Sequence, residues 1–173
     1  IALLDSKNEI KLNYDNTIPE SIIGDSLKLS QIFINLISNA IKFTNKGTIS
    51  IEIKKLSETN EKVKLFFKVS DSGKGIPLEK QSIIFNDYYQ ESSTKKLSYK
   101  GTGLGLSIVK KILDILDSEV KVESIPNKGS SFSFELFFEK DIEIHDDDMI
   151  QNENISQIKN FNVLIIDDNK INL

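Results

Sequence analysis

The sequence lacks several residue types, and each absence removes a class of function. It contains no cysteine, which excludes disulfide scaffolds, thiol catalysis and zinc sites built on cysteine and agrees with a reducing compartment. It contains no arginine, since all 22 basic residues are lysine, so any side-chain contact to a phosphate must come from an ammonium group. Its longest apolar runs are far shorter than the roughly 20 residues that a membrane-spanning helix requires.

The chain has 173 residues, enough for one compact domain and some additional chain. Its net charge is −4, of which residues 139–160 carry −5 and the remainder +1. This balance lacks the basic surface of a nucleic-acid-binding protein, and we expect no nucleic-acid partner. The first residue is Ile1 and no signal-peptide pattern follows it. We therefore expect a cytoplasmic piece of a longer protein, which can have a membrane anchor elsewhere.

Alternating and helical apolar patterns predict a mixed α/β domain. Alternation predicts strands, the first of them half-buried, at residues 9–15, 48–54, 63–70, 120–123 and 131–138. Helical periodicity predicts a long helix, a short one and a third of intermediate length, at residues 26–43, 77–84 and 101–116. This order predicts a two-layer α/β sandwich, in which a mixed, largely antiparallel sheet carries its helices on one face.

The pattern changes after Lys140. Residues 141–160 are acidic and rich in Asn and Gln, which predicts a solvated linker. Residues 161–166 form a short apolar run that predicts a strand, and Asp167 and Asp168 follow it. We therefore divide the chain into a main domain at 1–140, a linker at 141–160 and the beginning of another domain at 161–173.

Three polar residues share one face of the long predicted helix. Asn35, Asn39 and Lys42 are spaced i, i+4 and i+7 and lie within about 60° of one another, opposite the apolar stripe. An Asn oxygen is a suitable ligand for Mg²⁺, and a Lys ammonium matches the charge of a phosphate. An ordinary solvated helix face has the same spacing, so this pattern by itself leaves both interpretations open.

A carboxylate and two glycines follow the strand predicted at 63–70, in the order Asp71-Ser-Gly73-Lys-Gly75. A buried carboxylate at a strand end can accept a hydrogen bond from the exocyclic amine of adenine, whereas the carbonyl of guanine would be rejected. The two glycines allow the backbone to approach a flat ring closely. A strand-ending Asx turn is the alternative interpretation.

Residues 101–106, Gly-Thr-Gly-Leu-Gly-Leu, open the third predicted helix. The free N–H groups of a helix start can hold phosphate oxygens, and Thr102 and Ser107 add hydroxyl donors. A flexible glycine-rich helix start is the alternative. The spacing differs from the dinucleotide-binding fingerprint, and the sequence has neither a P-loop nor a protein-kinase catalytic loop.

Together these stretches resemble the histidine kinase branch of the Bergerat-fold ATPases, the GHKL superfamily, over residues 9–138. The similar segments are those of its N, G1, F and G2 boxes, at Asp25–Thr44, Val69–Pro77, Ile84–Gln90 and Gly101–Leu106 respectively. The resemblance implies a Bergerat fold that binds ATP with Mg²⁺.

The resemblance also implies roles for the matching residues. Asn39 would bind Mg²⁺ through ATP, Asp71 would bind the adenine amine, and the groups at the phosphates would be Asn35, Lys42 and Lys95. Further nucleotide contacts would come from Phe43, Gly73, Gly75, Ile76, Tyr88, Gly101, Thr102, Gly103, Leu104, Gly105 and Leu106. Related hydrolases have a water-activating Glu where this chain has Asn35. A carboxamide is a poor base, which favours phosphoryl transfer to a protein acceptor.

The segment that would form the lid of the site departs from the family pattern. Asp87 stands where the F box commonly has proline, the stretch between Gln90 and Gly101 is slightly long, and Lys100 replaces a common glycine. These departures motivate one alternative, a degenerate nucleotide-binding scaffold or sensor without kinase activity. A gyrase-like ATP hydrolase is the other alternative, against which Asn35 argues.

The resemblance places the phosphate acceptor outside this chain, on a dimerising helical hairpin that precedes the ATP domain. His145 is the one histidine and lies among acids, so we expect a solvated linker residue. Asp167 and Asp168 resemble the acidic Mg²⁺ pocket of a receiver domain. We expect the catalytic domain of a hybrid sensor histidine kinase, with an upstream dimerisation domain and a receiver domain as partners. The full-length protein would be a homodimer, and this fragment a monomer that does not autophosphorylate.

Overall fold

A computed structural model describes residues 8–89 and 103–140 of the chain. The strands are β1 (Glu9–Tyr14), β2 (Ile22–Ile23), β3 (Thr48–Glu58), β4 (Lys62–Asp71), β5 (Lys121–Ile125) and β6 (Gly129–Lys140). The helices are α1 (Ser26–Phe43), α2 (Leu78–Gln81) and α3 (Gly105–Ile115). Within the described ranges, no helix has the length and apolar content needed to cross a membrane.

The six strands form one sheet in the order β1-β3-β4-β6-β2, and β5 pairs with the beginning of β6. The β1–β3 pair is parallel, and the other four pairs are antiparallel. The β3–β4 and β5–β6 pairs are hairpins closed by short polar turns, as the sequence predicts. The predicted mixed, largely antiparallel sheet is confirmed.

The core lies between one face of the sheet and the helices α1 and α3. Side chains alternate along β4 and β6, so that every second residue is buried under the helices. The rings of Phe67 and Phe134 stack at 5.0 Å between centroids, and Phe33 of α1 meets Phe67 edge-on at 5.8 Å. Aromatic contacts of this geometry stabilise a core beyond the area that they bury.

Helix α1 has the bounds that the sequence predicts. The side chain of Asp25 caps its start by accepting the backbone N–H of Lys28 at 2.9 Å, which satisfies one of the unpaired donors of a helix start. At its other end the chain becomes extended at Thr44, whose N–H still donates to the carbonyl of Ala40. The predicted apolar stripe is buried at Ile32, Leu36 and Ala40.

Strand β1 differs from its prediction. All six of its side chains are exposed, although the alternating pattern predicts a half-buried strand. The strand lies at the edge of the sheet and pairs with β3 alone. Apolar side chains such as Leu12 therefore face the helix side of the sheet beyond the reach of α1. Periodicity indicates which residues share a face, but it does not indicate whether a helix covers that face.

Three other elements differ in extent. β3 continues to Glu58, through a register irregularity between Lys55 and Ser57, where the sequence predicts a turn. The short helix after Pro77 ends at Gln81 and gives way to turns. β2 is a two-residue pairing with the end of β6, too short for a periodic signal. The domain boundary after residue 140 stays a prediction, because 141–160 and 161–173 lie outside the described residues.

Candidate functional site

The start of α3 lies against two asparagines of α1. A Cβ built on Gly105 would stand 3.1 Å from Oδ1 of Asn35 and 3.7 Å from Nδ2 of Asn39. The side chain of Asn35 also donates from Nδ2 to the carbonyl of Gln31 at 2.9 Å. Two segments more than 60 residues apart in sequence thus meet where α1 crosses the beginning of α3, and a Cβ at position 105 would require Asn35 to shift by a few tenths of an ångström.

The helical spacing predicted that the two asparagines lie on the solvent face opposite the apolar stripe. This prediction is wrong. Both are half-buried, because their common direction is only about 90° around the helix from Leu36, at the centre of the stripe. Lys42 is exposed, and its Nζ lies 5.1 Å from the ring centroid of Phe43. Of the three polar residues, only the two asparagines therefore lie next to the start of α3.

Asp71 ends β4 and points its carboxylate into the turn that follows. Its Oδ1 accepts the N–H of Gly73 at 2.8 Å. Burial raises the pKa of the Asp71 carboxyl above its usual range, and hydrogen bonds from the backbone of Gly73 and Ser130 act in the opposite direction. A half-buried carboxylate with remaining acceptor capacity can select a ligand that offers an N–H group.

The glycine turn after Asp71 packs against the C-terminal end of α1. A Cβ on Gly73 would stand 2.3 Å from the carbonyl oxygen of Phe43, and the N–H of Lys74 reaches the same oxygen at 3.4 Å. Lys74 also places its Nζ 4.7 Å from the ring centroid of Phe43. The turn and the helix end therefore form one continuous surface.

The same turn rests on the β5–β6 hairpin. Gly75 has φ of +68°, and a Cβ there would stand 2.1 Å from the carbonyl oxygen of Ile125. The N–H of Ile76 donates to Oγ of Ser124 at 2.7 Å. Gly129 has φ of +110°, and its Cβ would stand 1.9 Å from the carbonyl oxygen of Asp71. Each glycine occupies left-handed backbone that other residues rarely adopt.

Sequence reasoning missed the support that Ser124, Ser130 and Gly129 give to Asp71. Ser124 Oγ donates to the carbonyl of Gly129 at 2.8 Å and lies 3.0 Å from Oγ of Ser130. A glycine directly after the Pro126-Asn-Lys turn was the available signal, but strand pairing alone brings it beside Asp71.

The first turn of α3 corrects one prediction. Ser107 is only 2% exposed and donates from Oγ to the carbonyl of Leu104 at 3.0 Å, so it is not an available hydroxyl donor at the surface. Gly103 has φ of +75°, which lets the chain turn into the helix. Leu106 packs partly buried against the core. The helix begins at Gly105, later than the predicted Gly101.

The loop of residues 82–89 connects to α3 through Asp87. Both carboxylate oxygens of Asp87 accept from Nζ of Lys111 at 2.8 Å. Hydrogen bonds from Lys111, and then from Ser107, hold the pKa of Asp87 below its usual range. The next residue, Tyr88, has φ of +61° and is 74% exposed. Its predicted contact with a nucleotide stays a prediction.

Several predicted residues lie outside the described part of the chain. These are Lys95, Gly101, Thr102, His145, Asp167 and Asp168. Within residues 8–89 and 103–140, no group of three or more His, Asp or Glu side chains is arranged to hold a metal ion by itself.

Two cavities lie next to these elements rather than between them. One of about 190 Å³ borders Asp71 on the side of β5 and β6 and is lined also by Glu123, Lys128 and Ser131. The other, of about 120 Å³, lies at the start of α1, beside Leu29 and Phe138. Neither includes Asn39 or Gly105. The contacts of the described site are those of the α1 end with the glycine turn and of α1 with the start of α3.

Comparison with known proteins finds a matching family and several relatives. Residues 24–140 match the family model described as histidine kinase-, DNA gyrase B-, and HSP90-like ATPase. The signal transduction histidine-protein kinase BarA of Escherichia coli K12 is 39% identical over 128 residues, which cover 74% of this chain and 14% of BarA. Hybrid signal transduction histidine kinase B of Dictyostelium discoideum is 40% identical over 122 residues, 70% of this chain and 6% of that protein.

Solved structures show the same likeness. Full-length ShkA in complex with AMPPNP matches with a TM-score of 0.63 and 29% identity, over 80% of this chain and 28% of ShkA. The catalytic domain of histidine kinase ThkA matches with a TM-score of 0.56 and 30% identity, over 78% of this chain and 81% of that one. The chain spans about a seventh or less of the length of these two curated relatives. With a family match over most of its length, the chain belongs to the histidine kinase-, DNA gyrase B- and HSP90-like ATPases.

Proposed function

We propose that this chain is the ATP-binding catalytic domain of a hybrid sensor histidine kinase, which transfers the γ-phosphoryl group of Mg·ATP to a histidine on an upstream dimerisation domain. The observation that carries the proposal is the double contact of α1. Its end touches Gly73 through the carbonyl of Phe43, and its middle touches Gly105 through Asn35 and Asn39. Helix α1 thus contacts both glycine-containing motifs, which supports a shared site.

Asp71 and Asn39 have the chemistry that this ligand requires. Asp71 accepts one hydrogen bond within the turn and can accept another from the amine of adenine, whereas guanine presents an acceptor there. The carboxamide of Asn39 takes no hydrogen bond from residues 8–89 or 103–140, and its oxygen suits Mg²⁺. Mg²⁺ usually takes few protein ligands and keeps water and phosphate oxygens as the others. When bound, it would neutralise phosphate charge.

The remaining groups favour phosphoryl transfer over hydrolysis. Asn35 uses Nδ2 to hold the carbonyl of Gln31, and its amide oxygen is too weak a base to activate water. Lys42 is exposed beside Phe43 and can approach phosphate as a point charge. Phosphoryl transfer depends on positioning and charge neutralisation more than on a covalent step by the protein. We therefore assign these residues to holding the phosphates for an acceptor supplied by another domain.

Titration of Mg·ATP against the wild-type chain and two variants tests the site. Asp71→Asn should weaken ATP binding about tenfold to a hundredfold and reduce selection of ATP over GTP, because a hydrogen bond to a charged group is lost. Asn39→Ala should remove the increase in affinity that Mg²⁺ provides. Asp114→Asn and Asn13→Ala, both on exposed positions, are matched controls. Wild-type affinity in both site variants would refute the assignment.

Phosphoryl transfer requires the longer protein. We infer that its partners are the upstream dimerisation domain and a receiver domain, that it acts as a homodimer, and that this domain lies in the cytoplasm. Incubation of the full-length protein with γ-³²P-ATP should label a histidine, recognised by its acid-labile bond. ATP binding without a labelled histidine would favour the scaffold alternative, and steady phosphate release by the isolated domain would favour the hydrolase.

A further inference from the structure

The loop of residues 82–89 is attached to the domain at two points. Ile84 is buried and Phe85 meets Phe132 of β6 edge-on at 6.4 Å, which fixes the first half of the loop to the sheet. Asp87 fixes the second half to α3 through Lys111. The loop therefore has an apolar anchor on the sheet and a charged anchor on the helix that bears the Gly103–Gly105 turn.

The charged anchor lies beside two α3 side chains that are one helical turn apart. Ser107 and Lys111 are spaced i and i+4 on α3, and both act on the carboxylate of Asp87. The hydroxyl of Ser107 donates to the carbonyl of Leu104 at 3.0 Å, and its proximity to Asp87 helps to lower the pKa of that carboxyl. The contact whose geometry holds Asp87 against α3 is therefore the ion pair with Lys111.

The anchor precedes a strained residue. Tyr88 follows Asp87 directly and adopts φ of +61°, which is a rare conformation for a bulky side chain. The N–H of Tyr89 donates to the carbonyl of Asn86 at 3.3 Å, on the other side of Tyr88. Such conformations persist where the surroundings hold them, and the Asp87 contact to α3 is the polar restraint next to Tyr88.

We propose that Asp87 is a positioning residue. Its ion pair with Lys111 holds the loop that carries Tyr88 in a fixed position relative to the first turn of α3, and this raises the affinity of the site for Mg·ATP. The inference rests on the proposed function, since it concerns the same site. Lys111 lies about 1.7 helical turns from Gly105, and Gly105 contacts Asn35, so the loop and the asparagines share α3 as a common support.

Because both partners are partly exposed, the pair contributes little to global stability. A change in nucleotide affinity can therefore be separated from a change in folding. A matched pair exists on the outer face of the sheet, opposite the face that the helices cover, where Lys64 and Glu135 approach to 2.6 Å. Glu135→Gln removes a similar charge contact without touching the loop.

The test measures Mg·ATP affinity by titration calorimetry, and Tm, for the 173-residue chain. Asp87→Asn and Lys111→Gln should each weaken affinity about twofold to fivefold, the range expected for one exposed ion pair. Most of the wild-type affinity should be retained in Asp87→Glu. It should also be restored in the double variant Asp87→Lys with Lys111→Asp. Glu135→Gln should bind like wild type, and no variant should shift Tm by more than about 2 °C.

Wild-type affinity in both single variants, or no recovery in the charge-swapped double variant, would overturn the positioning role while leaving the proposed function intact. Affinity losses that follow Tm losses would assign the pair to folding instead and would also overturn it. Failure of the wild-type chain to bind Mg·ATP would refute the proposed function, and this inference with it.

Discussion

The backbone of Gly73 lies directly against the carbonyl of Phe43, so closely that a Cβ on the glycine would stand 2.3 Å from the carbonyl oxygen. The contact joins the turn after β4 to the end of α1. The amide of the same glycine donates to Asp71. Gly73 therefore allows the turn and the end of α1 to lie in direct contact. It also orients the carboxylate to which we assign adenine binding.

Gly73→Ala should destabilise the chain and weaken ATP binding. The new methyl group meets backbone atoms that cannot rotate away, and such overpacking costs about 1–3 kcal/mol of unfolding free energy. Chemical denaturation and ATP titration measure the two effects. Gly24→Ala is the control, because its Cβ would meet the Phe138 ring at 2.7 Å, away from the site. It should lower stability and retain affinity, and a Gly73→Ala chain with normal affinity would contradict the assignment.

The stability difference between wild type and Asp71→Asn should depend on pH. Burial raises the pKa of Asp71 above 3.8, so the folded chain holds this proton more tightly than the unfolded chain. The wild type therefore loses stability as pH rises through the range above 3.8, whereas the asparagine variant does not have this loss. When Tm is measured from pH 3 to 7, the Tm of the variant relative to that of the wild type should increase with rising pH. A constant difference would contradict the burial effect.

Glu58→Gln should show the opposite dependence. Hydrogen bonds from Lys140, first, and Lys55 lower the pKa of Glu58 from 4.5 to about 2. The stabilisation from this carboxylate is fully present above pH 4.5 and is lost as pH falls toward 2. Acid unfolding curves should therefore separate wild type from variant at pH 6 and merge near pH 2. Glu20→Gln, at an exposed acid, should follow the wild-type curve.

Phe134→Ala should be among the most damaging core substitutions. Phe134 is 1% exposed and stacks on Phe67 at 5.0 Å, so its removal leaves a cavity and should cost about 3–5 kcal/mol of unfolding free energy. Phe137, on the outer face of the same strand, is 66% exposed. Its replacement by alanine should cost under about 1 kcal/mol. Equal losses in urea denaturation would contradict the orientation of β6.

Local patterns predicted the regular elements well. Residues 26–43 carry the apolar stripe that predicted a helix, and the helix has these bounds. The β3–β4 hairpin has alternation on both sides of a polar turn. Such signals depend on residues within a few positions of one another, which is the range over which helix and strand periodicity acts.

Other features required the fold. The exposure of β1 depends on which strand lies at the edge of the sheet. Ser107 is buried because its face of α3 turns toward the core. Gly129 lies beside Asp71 through strand register, and Asp87 reaches Lys111 across 24 positions of sequence. Periodicity carries no information about such long-range partners.

By itself, the sequence determined the order of strands and helices and the chemical groups of the candidate site, because propensity, capping and apolar period are local properties. Only the tertiary structure decided which of these groups meet. The crossing of α1 over α3 and the register of β4 on β6 bring Asn39, Asp71 and Gly105 onto neighbouring elements. Those placements follow from packing the sheet and helices around one core, a property of the whole domain rather than of any segment.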